Sequence, residues 1–159
     1  MKLTVTDNQG ATHEVSRNVT VTAPTALASD PFNRTVTNGW GAAEIGGSWT
    51  ISSTSSNFAV ANGAGTMKTA ASSGSSAYLN SVSARDVNLT TSFGYDKPGS
   101  GGGIYTSVVA QRVGTSDYRA KVQVTATATT LYLARTANGA ETILSSQAVA
   151  GMVYAPVTC

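Results

Sequence analysis

The residues able to do chemistry in this 159-residue chain are few and scattered. They are Asp7, Asp30, Asp86, Asp96, Asp117, Glu14, Glu44 and Glu141, one histidine, His13, and one cysteine, Cys159. Glycoside hydrolysis needs two carboxylates facing one cleft. No strand-like run here sets acidic residues at alternate positions, and most of them stand beside turn residues. A Ser-His-Asp relay would have to use His13, which lies in an amino-terminal hairpin. A metal site at His13 would need a second His or Cys nearby, so a solvated strand residue is the plainer reading. Asp117 suits a turn-side hydrogen bond better than catalysis. A lone terminal thiol excludes an internal disulfide; it suits a truncation, or a cross-link between chains under oxidising conditions, better than a nucleophile. The chain is expected not to be an enzyme.

The pattern that does carry chemistry is one of binding. Along Tyr118 to Thr125, Tyr118, Ala120, Val122 and Val124 fall on one face, and Arg119, Lys121, Gln123 and Thr125 on the other. Such alternation predicts one buried and one wet face. Tyr105 and Gln111 share a face of the preceding strand by their even spacing. Tyr132 is out of phase with Leu131 and Leu133. Rings for stacking on sugar C–H faces, with donors around them for hydroxyls, suit a shallow saccharide site. Trp40, between two glycines, would border that face from a loop. The candidate ligand residues are therefore Trp40, Tyr105, Gln111, Arg119, Lys121, Gln123 and Tyr132. The alternative is that Tyr105 and Tyr132 form a cross-strand pair that merely stabilises the sheet.

The elements that must hold these residues read as β throughout. Hydrophobic content is 41% and charged content only 11%, well under the usual quarter of a soluble domain. The polar surface is then mostly Ser, Thr, Asn and Gly, which suits an extracellular β module. A net charge of +2 with no Lys/Arg cluster does not suit nucleic acid. No apolar run approaches a membrane span. Met1 leads straight into strand-like sequence, so the leader of a secreted protein would lie upstream in a longer chain.

Taken in order, Met1 to Ala23 predicts a hairpin. Leu3 and Val5 alternate with Thr4 and Thr6, Asp7-Asn8-Gln9-Gly10 is the turn, and Val15, Val19 and Val21 lie in a β-branched run. A linker follows from about Pro24 to Ser29. Ser48 to Ser52 predicts a short strand. Phe58 to Thr69 predicts a hairpin about Asn62-Gly63. Ala77 to Leu79 predicts a brief strand, and Val87 to Tyr95 a long one with Leu89, Phe93 and Tyr95 on one face. Val82 to Asp86 is where a helical turn competes. Lys97 to Gly103, KPGSGGG, is a flexible loop. Strands are then expected at Ile104 to Val113, Tyr118 to Thr125, Thr130 to Arg135 and Glu141 to Leu144, with turns at Gly114 to Asp117 and Asn138-Gly139.

Asp30 to Trp49, DPFNRTVTNGWGAAEIGGSW, is densest in Gly, aromatic and polar punctuation. Phe32, Trp40 and Trp49 can bury large areas there, in a corner that closes a core. The spacing of Asp30, Phe32, Arg34, Gly39, Trp40, Gly41, Gly47 and Trp49 resembles the opening of laminin-G-like, concanavalin A-like jelly-roll modules of secreted bacterial and phage proteins. The run from Gln111-Arg112-Val113-Gly114 through Asp117-Tyr118-Arg119 and Leu131-Tyr132-Leu133 to Asn138-Gly139 and Glu141 is similar to the middle of such modules. KLTVTDNQGATHEVSRNVTVTAP resembles the last two strands of a PKD domain, an immunoglobulin-like spacer.

These resemblances imply residues 1–23 as a PKD-like hairpin remnant, 24–29 as a linker, and 30–159 as a jelly-roll module truncated at its C-terminus. The implied fold is an all-β, antiparallel two-sheet sandwich. They also imply a structural calcium ion with Asp30 and Asn33 among its ligands, against the alternative that these residues only cap a turn. The implied function is a non-catalytic carbohydrate- or surface-binding module of a secreted or virion-surface protein. The alternatives are an assembly module with no small ligand (an adhesin, a cell-surface fibre or a phage tail part) and, last, a glycoside hydrolase. Unpaired sheet edges would favour self-association, the hairpin docking on a sandwich edge or on a second chain.

Overall fold

The computed structural model describes residues 2–20 and 25–154. Val21, the linker start at Pro24, and Cys159 lie outside the described residues. The described chain is all-β. Among the described residues every strand pairing is antiparallel, the one helical element is a 3-10 turn at Ser55–Asn57, and no helix is long and apolar enough to cross a membrane. The chain separates into two compact units, Met1–Val82 and Ser83–Cys159. The division falls inside the segment expected to be one module.

The first unit begins with the expected hairpin, β1 (Lys2–Thr6) against β2 (Thr12–Ser16). The Asp7 carboxylate closes its turn, accepting the N–H groups of Gln9 and Ala11 at 2.8 Å each. Leu3 faces Val15 and Val5 faces His13, and Lys2 Nζ pairs with Glu14 at 2.8 Å. β2 stops at Ser16, short of the expected Val19. Ser16 pairs with Lys2, the first residue of β1. The hairpin pairs with no other strand among the described residues, and both strands are exposed along their whole length.

A three-stranded sheet follows, ordered β3 (Val36–Thr37), β5 (Phe58–Ala61), β6 (Ala64–Met67). A separate ladder joins β4 (Thr50–Ser52) to β7 (Ser76–Tyr78). Asn62 and Gly63, at φ 53° and 74°, make the two-residue turn with positive φ at both positions that matches strand twist. β4 starts one residue after Trp49, whose N–H bonds Gly41 O at 2.9 Å instead of entering the ladder.

The core of this unit is Phe58 and Val60, each 1% exposed, beneath an aromatic corner. Trp40 meets Phe32, Trp49 and Phe58 edge to face, with centroids 5.3, 5.1 and 5.8 Å apart. Phe32 stacks on Trp49 at 6.3 Å. Such pairs add about 0.5–1.5 kcal/mol each beyond their burial. They hold Phe32 at φ 55°, a conformation rare for a bulky residue. The expected core-closing corner is thus present.

The second unit is a four-stranded meander ordered β11-β10-β9-β8. Its strands are β8 (Ile104–Val113), β9 (Ser116–Val124), β10 (Thr129–Ala137) and β11 (Ala140–Val149). β8 has the expected limits, whereas β11 runs well beyond Leu144. Asn138 and Gly139, at φ 49° and 83°, turn β10 into β11. Gly103, at φ 86°, lets the KPGSGGG loop return against β9, because a Cβ there would stand 2.5 Å from Val124 O. One expectation fails: Val87–Tyr95 forms no strand. At Val82–Asp86, where a helical turn competes in the sequence, none forms. The meander ends at β8, so 87–95 has β-forming residues but no ladder. It is tied to β8 by Tyr95 Oη and Thr106 Oγ1 at 2.7 Å, and within it the Phe93 and Tyr95 rings meet with centroids 6.0 Å apart.

Gly65 is where the aromatic corner comes nearest to the sheet: a Cβ there would lie 2.7 Å from Phe32 Cε1. Gly65→Ala is expected to cost about 1–3 kcal/mol by overpacking, read as a lower denaturation midpoint. Gly74→Ala, with nothing within 4 Å of the added Cβ, is expected to leave the midpoint unchanged.

Candidate functional site

Side-chain direction in the meander follows from its registers. Tyr105 pairs with Gln123, which pairs with Thr130; Ser107 pairs with Lys121, which pairs with Tyr132; Val109 pairs with Arg119, which pairs with Ala134. Asp117 pairs with Thr136, which pairs with Glu141. Because residues opposite each other share a face, Tyr105, Arg119, Lys121, Gln123 and Tyr132 come together on one side, with Asp117 and Glu141. Gln111 does not join them. β8 has a bulge between Val109 and Gln111, so Gln111 pairs with Tyr118 on the other side. The extra residue inverts the even spacing that linked Tyr105 to Gln111. Trp40 belongs to the other unit, where it packs in the aromatic corner and donates Nε1–H to Thr66 O at 2.9 Å.

Lys121 is the centre of the group. Its Nζ lies 5.4 Å from the ring centroids of both Tyr105 and Tyr132 and forms an ion pair with Glu141. Tyr105 and Tyr132 are therefore not a cross-strand pair: β9 runs between their strands and carries the ammonium that both rings face. Arg119 donates Nε–H to Asp117 Oδ1 at 2.6 Å, pairs with the same carboxylate through its second nitrogen, and stands 3.9 Å from Glu141. Tyr132 Oη–H donates to Gln123 Oε1 at 2.6 Å, and Gln123 Nε2–H to Gly102 O at 2.7 Å. The polar groups satisfy one another in a chain from Asp117 to the KPGSGGG loop.

The expected wet and buried faces are reversed at mid-sheet. The Lys121 side chain is only 13% exposed, whereas Tyr118, Leu131 and Leu133 on the opposite side are 43–49% exposed. Long charged side chains lie along the polar face and cover it with their own stems.

Asp117 and Glu141 were not among the expected site residues. Asp117 lies in β9, not in a turn, because the β8–β9 turn closes between Val113 and Ser116. Their parity was the available signal. Asp117 is two residues from Arg119, and a two-residue turn at Asn138-Gly139 sets Glu141 opposite Thr136. Both carboxylates are ion-paired, an arrangement that neutralises Arg119 and Lys121 and offers no free acid and base.

In the first unit, Asp30 lines an open cleft of about 380 Å³ with Pro31, Asn33, Arg34, Ala42 and Glu44. Its carboxylate takes the Arg34 guanidinium in two prongs, 2.7 and 2.8 Å, Trp49 Nε1–H at 2.6 Å and Phe32 N–H at 3.0 Å. Arg34 also donates Nε–H to Trp40 O at 2.9 Å. These donors do not fit the expected calcium site. A hard cation needs six to eight oxygens, and here a cation already holds both Asp30 oxygens. Among the described residues no group of three or more His, Cys, Asp or Glu is placed to hold a metal. Asp30 instead ties Arg34 and Trp49 together, and it caps the turn through Phe32 N–H.

Burial of Asp30 disfavours its charge, but the hydrogen bonds from Arg34, Trp49 and Phe32, with the Arg34 charge, outweigh that and hold its pKa below the ordinary 3.8. A depressed carboxylate stabilises the fold above its unfolded pKa, and that contribution is lost as pH falls through the folded value. Asp30→Asn, which strands Arg34, is expected to cost roughly 3–5 kcal/mol near neutrality. The deficit relative to the parent is expected to narrow below pH 3.8, read from denaturation midpoints across pH.

Comparison with known proteins found no matching family model, no matching curated protein and no matching solved structure.

Proposed function

We propose that this chain is a non-catalytic carbohydrate- or surface-binding module of a secreted or virion-surface protein, built as a laminin-G-like β-sandwich behind a PKD-like hairpin. The ligand would lie on the polar face of the four-stranded sheet, across Tyr105, Lys121 and Tyr132. The observation that supports this reading is Tyr105. The residue is 53% exposed and its ring is held against the Lys121 ammonium, a preformed apolar platform with a cation beside it. A saccharide stacking there would meet Tyr105 first and reach Gln123 and Arg119 at the margin, a few polar groups fixing orientation. The low charge and Ser/Thr/Gly-rich composition suit display outside the cell.

Hydrolysis is disfavoured by the same face, since Asp117 and Glu141 are each engaged by Arg119 or Lys121. The second reading is an assembly module with no small ligand. It is favoured by the exposed apolar residues on the other side of the same sheet.

On a glycan array, the parent protein is expected to bind at least one saccharide class, and Tyr105→Ala to lose about tenfold or more in affinity, roughly 1.4 kcal/mol, with its β-type spectrum intact. A parent that binds nothing, or a variant that binds equally well, removes the glycan reading and leaves the assembly reading standing.

A further inference from the structure

The chain contains three Asn-Gly pairs, Asn38-Gly39, Asn62-Gly63 and Asn138-Gly139. All three asparagines take left-handed φ, at 60°, 53° and 49°, a conformation that Asn tolerates in turns. Asn-Gly is also the dipeptide most open to attack by its own backbone. The Gly nitrogen, unshielded by any side chain, loses its proton and bonds to the Asn side-chain carbonyl carbon, and the side-chain nitrogen leaves as ammonia. Water then opens the cyclic imide at one of its two carbonyls, giving aspartate or isoaspartate. Water is the only co-reactant.

The three sites differ in what holds them closed. A left-handed residue turns the following nitrogen away from its own side chain, so ring closure waits on local opening of the turn. The cost of such opening varies across a structure. Gly39 is buried, and its N–H donates to Phe58 O at 2.9 Å. Asn138-Gly139 joins strands of nine and ten residues. It is also tied to the β8–β9 connection, by Asn138 N–H to Ser116 Oγ at 3.2 Å and Gly139 N–H to Thr115 O at 3.4 Å. Asn62-Gly63 joins strands of only four residues each. Both of its residues are exposed. The Gly63 N–H has no hydrogen-bond acceptor among the described residues, and a Cβ on Gly63 would meet nothing within 4 Å.

We propose that Asn62 is a site of self-modification, which the folded chain converts to isoaspartate ahead of its other Asn-Gly pairs, and that the conversion loosens the first unit. Isoaspartate routes the backbone through the former side chain and so lengthens a two-residue turn, whose length fixes the register of the hairpin. That register sets Phe58 opposite Met67 and Val60 opposite Gly65. Phe58 and Val60 are the core of the unit, and Gly65 is the position that Phe32 closes upon. A lengthened turn therefore acts on the aromatic corner. Aspartate, the other product, keeps the turn, because Asp-Gly suits the same geometry.

The test holds the folded full chain in warm, mildly alkaline buffer, with reductant present for Cys159. Each site is followed by peptide mass spectrometry and by an isoaspartate-specific methyltransferase. Chain unfolded in guanidinium is run in parallel and is expected to convert all three pairs at similar rates. In the folded chain Asn62 is expected to convert about tenfold faster than Asn38 or Asn138, the ratio given by about 1.4 kcal/mol of difference in opening cost. The denaturation midpoint of the aged parent is expected to fall as isoaspartate accumulates at Asn62. Asn62→Gly, which leaves a Gly-Gly pair suited to the turn and has no amide to lose, is expected to keep its midpoint on ageing. The ranking of sites is read on the parent alone, so it holds or fails whether or not that variant folds. Folded protein that retains all three amides while the unfolded chain loses them overturns the proposal. So does conversion of Asn38 or Asn138 level with or ahead of Asn62, or an aged Asn62→Gly variant whose midpoint falls as the parent's does.

Discussion

The second unit depends on how the Lys121 ammonium is neutralised. It stands at mid-strand on β9 with a side chain 13% exposed, where an unpaired charge would be costly. Its partners come from three other strands: the Glu141 carboxylate from β11, the Tyr132 ring from β10 and the Tyr105 ring from β8. Each cation–π contact contributes on the order of 0.5–2 kcal/mol, more as water is excluded. The ammonium thus ties all four strands together, drawing partners from the levels of Gln123, Lys121 and Asp117 on β9, although the strands are consecutive and need no long-range pairing. Arg119 repeats the arrangement one step along β9, shared between Asp117 and Glu141. A slip of one residue in either register would turn these charges onto the apolar face, so the network also fixes pairing.

The first unit answers the same requirement differently. There the charge to be satisfied is Asp30, and it is saturated by Arg34, Trp49 and a backbone N–H. The consequence is again positional. Arg34 reaches from Asp30 to Trp40 O, and Trp49 is held by the same carboxylate, so both tryptophans are oriented around one ion pair. Asp30 is consequently a framework residue.

Much of this was legible in the residues, for identifiable reasons. Period-2 alternation placed Arg119, Lys121 and Gln123 together and Tyr132 out of phase with its leucines. Asn62-Gly63 and Asn138-Gly139 located two hairpins because their positive φ values are demanded by the turn. Gln111 was misplaced because a bulge at Ala110 has no compositional mark, and one inserted residue reverses every face after it. Val87–Tyr95 was read as a strand because propensity does not reveal whether a neighbouring ladder exists. Asp117 was assigned to a turn because Gly114, Thr115, Ser116 and Asp117 are all turn formers, yet two of them suffice. The reversal of exposure at mid-sheet was hidden for a different cause. Polarity tells which residues can face water, not whether long side chains will cover one another.

The central claim is that the polar face is organised around Lys121 between two aromatic rings, and ring currents report on that directly. In a proton–carbon correlation spectrum, the Lys121 ε-methylene signal is expected upfield of every other lysine, shielded by Tyr105 and Tyr132. It is expected to move back toward the common lysine position in Tyr132→Leu, with the β-sheet signals preserved. A Lys121 signal lying among those of exposed lysines in the parent protein would contradict the account.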